Sequence, residues 1–127
     1  MKKIRILAKN ISLTAELNDS PTAQKIYNAL PMEADVNTWG DEIYYKTIVK
    51  ANLEPDAREE VEVGEIGYWP PCNALCLFFG ATPASIDDKP RAASAVNILG
   101  SILGDATVLR SVKDGDKIRI EKKSNSI

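Results

Sequence analysis

Alternation at period two, present at both ends of the chain, most restricts what this sequence can build. Ile4-Arg5-Ile6, Ile11-Ser12-Leu13-Thr14-Ala15-Glu16-Leu17 and Lys117-Ile118-Arg119-Ile120-Glu121 each put an apolar side chain at every second position. Successive side chains of a strand point to opposite faces, so these segments read as strands with one face buried. Strands are predicted over Ile4 to Ala8, Ile11 to Leu17 and Lys117 to Lys122, with a turn at Lys9-Asn10 and a hairpin signal at Asp114-Gly115. The period returns over Met32 to Trp39, where Met32, Ala34, Val36 and Thr38 share one face and Glu33, Asp35, Asn37 and Trp39 the other. Gly40-Asp41 breaks that run before Glu42 to Val49, a segment rich in β-branched and aromatic residues. Ala74-Leu75-Cys76-Leu77-Phe78-Phe79 is apolar throughout. Six such residues suit a strand buried on both faces better than a helix, and Leu75 to Phe79 is predicted as one.

The remaining segments are covers and connections. Asn18-Asp19-Ser20-Pro21 begins a helix, with Ser20 as cap and Pro21 in the first turn, and Ala23, Ile26, Tyr27 and Leu30 form its apolar stripe up to Pro31. Asn52 to Glu60 reads as a solvated loop, Val61 to Trp69 as short strand segments around a bend, and Pro70 to Asn73 as a turn. Ala81 to Arg91 is a long surface loop, and Ala95 to Gly100 a further strand. Asp105 caps a short helical turn whose Val108, Leu109 and Val112 face the core. At 127 residues and 44% hydrophobic composition, the chain is long enough for one core and shorter than chains that usually divide, so a single domain over 1–127 is expected. Its architecture reads as mainly β: a small closed β-barrel of about eight strands with one or two covering helices, its first and last strands pairing to close it.

Composition removes several functions. The chain has no histidine, which excludes Ser-His-Asp and Cys-His catalysis and every histidine-containing zinc site. A formal net charge of -2 offers no electrostatic grip on nucleic acid or an anionic membrane. Cys72 and Cys76 are too few for a disulfide framework, so a reducing, cytoplasmic location is expected, and Cys72 has no adjacent base or cation to activate it. Arg5 interrupts the apolar stretch that follows Lys2-Lys3, so no export signal is expected, and no run nears the ~20 apolar residues of a membrane span. The carboxylate pairs Asp87-Asp88 and Glu59-Glu60 read as solvated faces, and Gly100 and Gly104 as no phosphate loop. No metal and no cofactor are predicted.

Gly67-Tyr68-Trp69-Pro70-Pro71-Cys72-Asn73-Ala74-Leu75-Cys76-Leu77-Phe78-Phe79-Gly80-Ala81-Thr82-Pro83, preceded by Asn37-Thr38-Trp39-Gly40-Asp41-Glu42-Ile43-Tyr44 and followed by Ala95-Val96-Asn97-Ile98-Leu99-Gly100, resembles the small prokaryotic cyclophilin-like proteins. The likeness runs over nearly the whole chain and implies a cyclophilin-type barrel. It implies less about activity, because members of that family largely lack an established one. In true cyclophilins a phenylalanine lines the proline pocket, a place that Phe79, or Phe78 one register away, would inherit. Where their arginine should lie stands Lys46, and where their pocket tryptophan and histidine should lie stand Ser85 or Ile86 and Val96. Without a guanidinium aimed at the prolyl amide, little favours its twisted state over the planar one, and Arg58 and Arg91 read as solvated. No catalytic residue is assigned, and weak peptidyl-prolyl isomerisation is the second reading.

The first reading is a binding module for a small molecule or peptide. Tyr68, Trp69, Phe79 and Tyr44 supply aromatic walls, Glu42 and Asn97 polar anchors, and Thr82 the start of the long loop. Tyr68, Trp69, Phe79 and Asn97 are expected to converge on one cleft, because the Pro70-Pro71 turn folds the Tyr-Trp pair over the strand leading to Phe79. Each also has a packing role open to it: Tyr68 and Trp69 as a plug of the barrel end, Phe79 as core, Tyr44 as a cross-strand partner, Glu42 as a turn carboxylate. Asn97, set between Val96 and Ile98, must find hydrogen-bond partners in either role. A third reading is an interaction protein, with the aromatic face buried against a partner or against a second copy in a homodimer.

Overall fold

The computed structural model describes residues 1–124 and carries ten strands among them. β1 (Lys2–Ala8) and β2 (Ile11–Leu17) form a hairpin through Lys9, whose backbone takes the left-handed conformation. β10 (Lys117–Lys122) pairs with the other edge of β1, Ile6 opposite Ile120 and Ala8 opposite Ile118, so the alternating apolar residues of both chain ends form one buried strip. The expected pairing of first and last strands is present.

The segment expected as one strand from Met32 to Trp39 divides into β3 (Met32–Asp35) and β4 (Asn37–Thr38). β3 pairs with β10, whereas β4 pairs with β5 (Glu42–Lys46). Val36 sits between them, donating its N–H to Asp116 and accepting from Gly115 at the turn before β10. The sheet runs β3-β10-β1-β2-β9 (Arg91–Leu103)-β7 (Glu65–Trp69)-β8 (Ala74–Phe78)-β5-β4, so its two end strands, β3 and β4, are separated in the chain by Val36 alone. No ladder joins β3 to β4. A mainly β sheet wrapped round a core is therefore present, without a complete ring of hydrogen-bonded strands.

β7 (Glu65–Trp69) and β8 (Ala74–Phe78) are joined by a 3-10 turn at Pro70–Cys72, and Asn73 leaves it in the left-handed conformation. All five residues of β8 are buried, as its unbroken apolar sequence requires. Leu75 and Leu77 enter the main core with Ile4, Ile6, Ile43, Tyr68 and Leu99, while Ala74, Cys76 and Phe78 enter a second core on the opposite face with Val61, Ala92 and Val96. β9 (Arg91–Leu103) is thirteen residues long and pairs in turn with β6 (Arg58–Glu60), β7 and β2, absorbing the expected strand at Ala95–Gly100 and a β-bulge where Ile66 pairs with Gly100 and Gly67 with Ile98. β6 replaces part of the expected loop.

Helix α1 (Pro21–Asn28) begins as its sequence requires: the Ser20 hydroxyl accepts from the Ala23 N–H at 3.3 Å, and Pro21 opens the first turn. Thr22, Ala23 and Ile26 are buried. Ser20→Ala is expected to cost about 1 kcal/mol in urea denaturation, the usual worth of such a cap. The later 3-10 turn (Ala106–Ser111) is capped by Asp105, with Leu109 and Val112 buried as expected. Val108, by contrast, is largely exposed. Among the described residues no helix is long and apolar enough to cross a membrane.

Candidate functional site

Strand alternation puts Glu42 and Tyr44 of β5 on the same face as Cys76 and Phe78 of β8, opposite which they pair in the order Glu42–Phe78 and Tyr44–Cys76. Trp69 reaches this face from β7, and Ala92, Ala93 and Val96 from β9; Trp39 arrives from the turn after β4. Together Trp39, Glu42, Tyr44, Trp69, Cys76, Ala92, Ala93 and Val96 line a cleft of about 250 Å3. That is roughly the liquid volume of eight waters.

Two glycines seat the turn that delivers Trp39 and Glu42. Gly40 has φ +60, and a Cβ there would lie 2.9 Å from the Ala81 carbonyl oxygen. Asp41 donates its N–H to that same carbonyl at 2.8 Å, and its own carbonyl accepts from Phe79. A Cβ at Gly80 would fall 2.3 Å from Asp41 Oδ2, which makes an ion pair with Arg110 Nε at 3.0 Å. The Trp39-Gly40-Asp41-Glu42 and Phe79-Gly80-Ala81-Thr82 segments thus lie backbone to backbone. Below the cleft, Gly67 leaves room for Val96 and Phe78, whose atoms would stand 3.0 and 3.3 Å from a Cβ there.

Glu42 is the sole carboxyl of the cleft lining, and no lysine or arginine shares the lining with it. Only 6% of its surface is exposed. Burial in these apolar surroundings pushes its carboxyl from 4.5 up to about 7, an effect that a hydrogen bond with the Cys76 thiol partly offsets. The Cys76 thiol is itself pushed well above 9.0, chiefly by burial and further by Glu42, and so stays protonated. Trp69 donates its indole N–H to Ser94 Oγ at 2.6 Å, which ties the ring to β9.

The expected convergence of Tyr68, Trp69, Phe79 and Asn97 is not found. Adjacent strand residues face opposite ways, so Trp69 lines the cleft while Tyr68 is wholly buried in the main core, its hydroxyl donating to the Val49 carbonyl at 2.6 Å and accepting from the Ala51 N–H at 3.2 Å. Phe79 lies in the same core, and Phe78 is packed beneath the cleft. Asn97 turns away from the cleft to bind Thr22, Asn52 and Glu54. Thr82 accepts from Ala84 and donates to the Arg91 carbonyl, organising its own loop outside the lining. Of the expected residues, Trp69, Tyr44 and Glu42 do meet. Trp39 and Cys76 join them, although neither stood out in the sequence: Cys76 reaches Glu42 only through the pairing of β5 with β8. Arg58 and Arg91 are held in ion pairs with Glu65 and with Glu59 and Glu60, and Lys46 is exposed at the end of β5.

The sequence matches the cyclophilin-like family model over residues 2–121. The structure is similar to the solution structure of the hypothetical protein AF2241 from Archaeoglobus fulgidus, with a TM-score of 0.80 and 39% identity over 96% of this chain and 95% of that one. It is also similar to McbB in complex with tryptophan, with a TM-score of 0.71 and 14% identity over 98% of this chain and 46% of that one, a likeness of fold. Among proteins of curated function, none matches the sequence.

Proposed function

The chain belongs to the cyclophilin-like family, and from that premise we propose that it is a small-molecule binding module whose ligand occupies the cleft between Trp39, Glu42, Tyr44 and Trp69. The observation that carries this reading is a glutamate only 6% exposed, set at the wall of an otherwise apolar, aromatic-sided cleft. A mostly apolar concavity with few polar groups is the usual form of a small-molecule site. The cleft lies on the outside of what we read as a barrel, its two end strands separated in the chain by Val36 alone. McbB, of which this chain spans less than half, supports the reading from outside in that its structure is in complex with tryptophan. Peptidyl-prolyl isomerisation has less support, because no guanidinium reaches the lining.

The test is a thermal-shift and tryptophan-fluorescence screen of small aromatic and aliphatic metabolites, repeated on Ala93→Trp. Ala93 is exposed at the cleft wall, so a bulky side chain there fills the cleft without entering the core. Ligands that raise the melting temperature of the native chain should lose at least tenfold in affinity on Ala93→Trp, whose own melting temperature should stay within a few degrees. Equal binding to both proteins overturns the proposal.

A further inference from the structure

Resting on that reading, we infer that the cleft takes an organic ammonium ion: a small amine whose charged nitrogen meets Glu42 and whose apolar body lies along Tyr44, Trp39 and Trp69. The charges around the cleft leave a place for such a group. Glu42 faces Cys76 from β8, Trp69 from β7, and Ala92, Ala93 and Val96 from β9, while β4 contributes the uncharged Asn37 and Thr38. Asp41, its chain neighbour, already has Arg110 as partner at 3.0 Å. Arg58 and Arg91 are engaged by Glu65, Glu59 and Glu60, and Lys46 stands exposed beyond Tyr44 outside the lining. The protein therefore surrounds a buried carboxyl with no cation of its own, so a cationic ligand supplies what the fold omits.

The walls agree with that sign. Aromatic rings attract a cation held near their faces, and two tryptophans and a tyrosine line this cleft. The indole N–H of Trp69 is engaged by Ser94, which withdraws from the cleft a donor that an anion would need. The Cys76 thiol, held well above its ordinary value chiefly by burial, remains protonated and adds no competing negative charge. With a volume of about 250 Å3, the cleft suits a single ring with a short arm rather than a folded peptide.

Empty, the cleft keeps Glu42 protonated up to about pH 7. An ammonium ion needs the ionised form, so its entry displaces that proton, and its affinity should rise with pH until the carboxyl is ionised in the free protein. The probes are three compounds of one shape and different charge: phenethylamine, phenethyl alcohol and 3-phenylpropionate. By fluorescence titration at pH 7.5 the amine should bind at least tenfold tighter than the alcohol, with the carboxylate weakest. Amine affinity should fall roughly tenfold per pH unit from pH 6.5 to pH 5, while that of the alcohol stays flat. In Glu42→Gln both the preference for amine and its pH dependence should vanish; the native-protein comparison stands even if that variant does not fold. Alcohol or carboxylate binding as tightly as amine, or an amine affinity independent of pH, overturns the ammonium inference while leaving the cleft reading intact. Binding of all three unchanged by Ala93→Trp removes the cleft reading itself. No binding of the amine at millimolar concentration overturns the inference.

Discussion

Asn97→Ala is expected to destabilise the protein by about 3–5 kcal/mol, lowering its melting temperature by more than 10 °C. Asn97 is 1% exposed, and its three hydrogen bonds join parts of the chain that have no other ladder in common. Its Nδ2 donates to the Asn52 carbonyl at 2.9 Å and to Thr22 Oγ1 at 3.1 Å, and its Oδ1 accepts from the Glu54 N–H at 2.8 Å. The Glu54 carboxylate in turn accepts from the Thr22 N–H at 3.0 Å and from the Thr22 hydroxyl. The network thus clamps the segment after β5 to the first turn of α1 and the middle of β9. Alanine removes one side of three bonds: the Asn52 carbonyl and the Glu54 N–H lose a part-buried partner, and the Thr22 hydroxyl keeps only its bond to Glu54, at about 1–3 kcal/mol for each group left unpaired before relaxation. Urea denaturation at pH 7 measures the total, and amide exchange at Thr22 and Glu54 shows where it acts. A loss below 1 kcal/mol would mean that water or a shift of the 52–54 segment satisfies those groups. Trp69 emission should be unchanged, because this amide supports the fold from the side away from the cleft.

That outcome separates two roles that the sequence leaves equal. A polar residue between Val96 and Ile98 on a strand must be satisfied when buried, and this much is legible from composition and spacing. Whether backbone or ligand satisfies it depends on residues 22, 52 and 54, which reach it only through tertiary packing. The same limit explains the rest of the site. Alternation correctly marks β1, β2 and β10, and the apolar run of β8 correctly marks two-sided burial. Alternation also implies that adjacent aromatics cannot face one way, but it does not reveal which of Tyr68 and Trp69, or Phe78 and Phe79, faces the main core. That choice is a matter of register, and a slip of one residue would exchange the two faces of the whole strand. β9 was legible only in part because its thirteen residues serve three successive partners and pass through a bulge, so no single face stays buried along it. The division of Met32–Thr38 at Val36 was hidden for a related reason: its alternation persists while its pairing partner changes from β10 to β5.

Glu42→Gln is expected to shift stability in favour of the variant by about 3 kcal/mol between pH 4 and pH 9, although it removes a charged side chain from a candidate binding site. Burial raises the Glu42 carboxyl from 4.5 to about 7, so the folded state holds its proton more tightly than the unfolded chain does. A group raised in this way contributes stability below its unfolded value, and that contribution is lost as pH rises through 4.5 and up to about 7. Above that window the native protein keeps a carboxylate in an apolar cleft with only the Cys76 thiol for company. Glutamine has the same shape without the charge; its amide carries a desolvation cost of its own, but one that does not change with pH. The informative quantity is therefore the difference between the two denaturation curves as a function of pH, in which titrations common to both proteins cancel. It should be flat below about pH 4.5, climb through the window and level off above it, with the slope set by one proton. Parallel curves would show that Glu42 is solvated or paired in solution, removing the carboxyl on which the ammonium inference depends. A saturating cationic ligand should reverse the climb in the native protein alone, because it puts a positive charge where the fold places none.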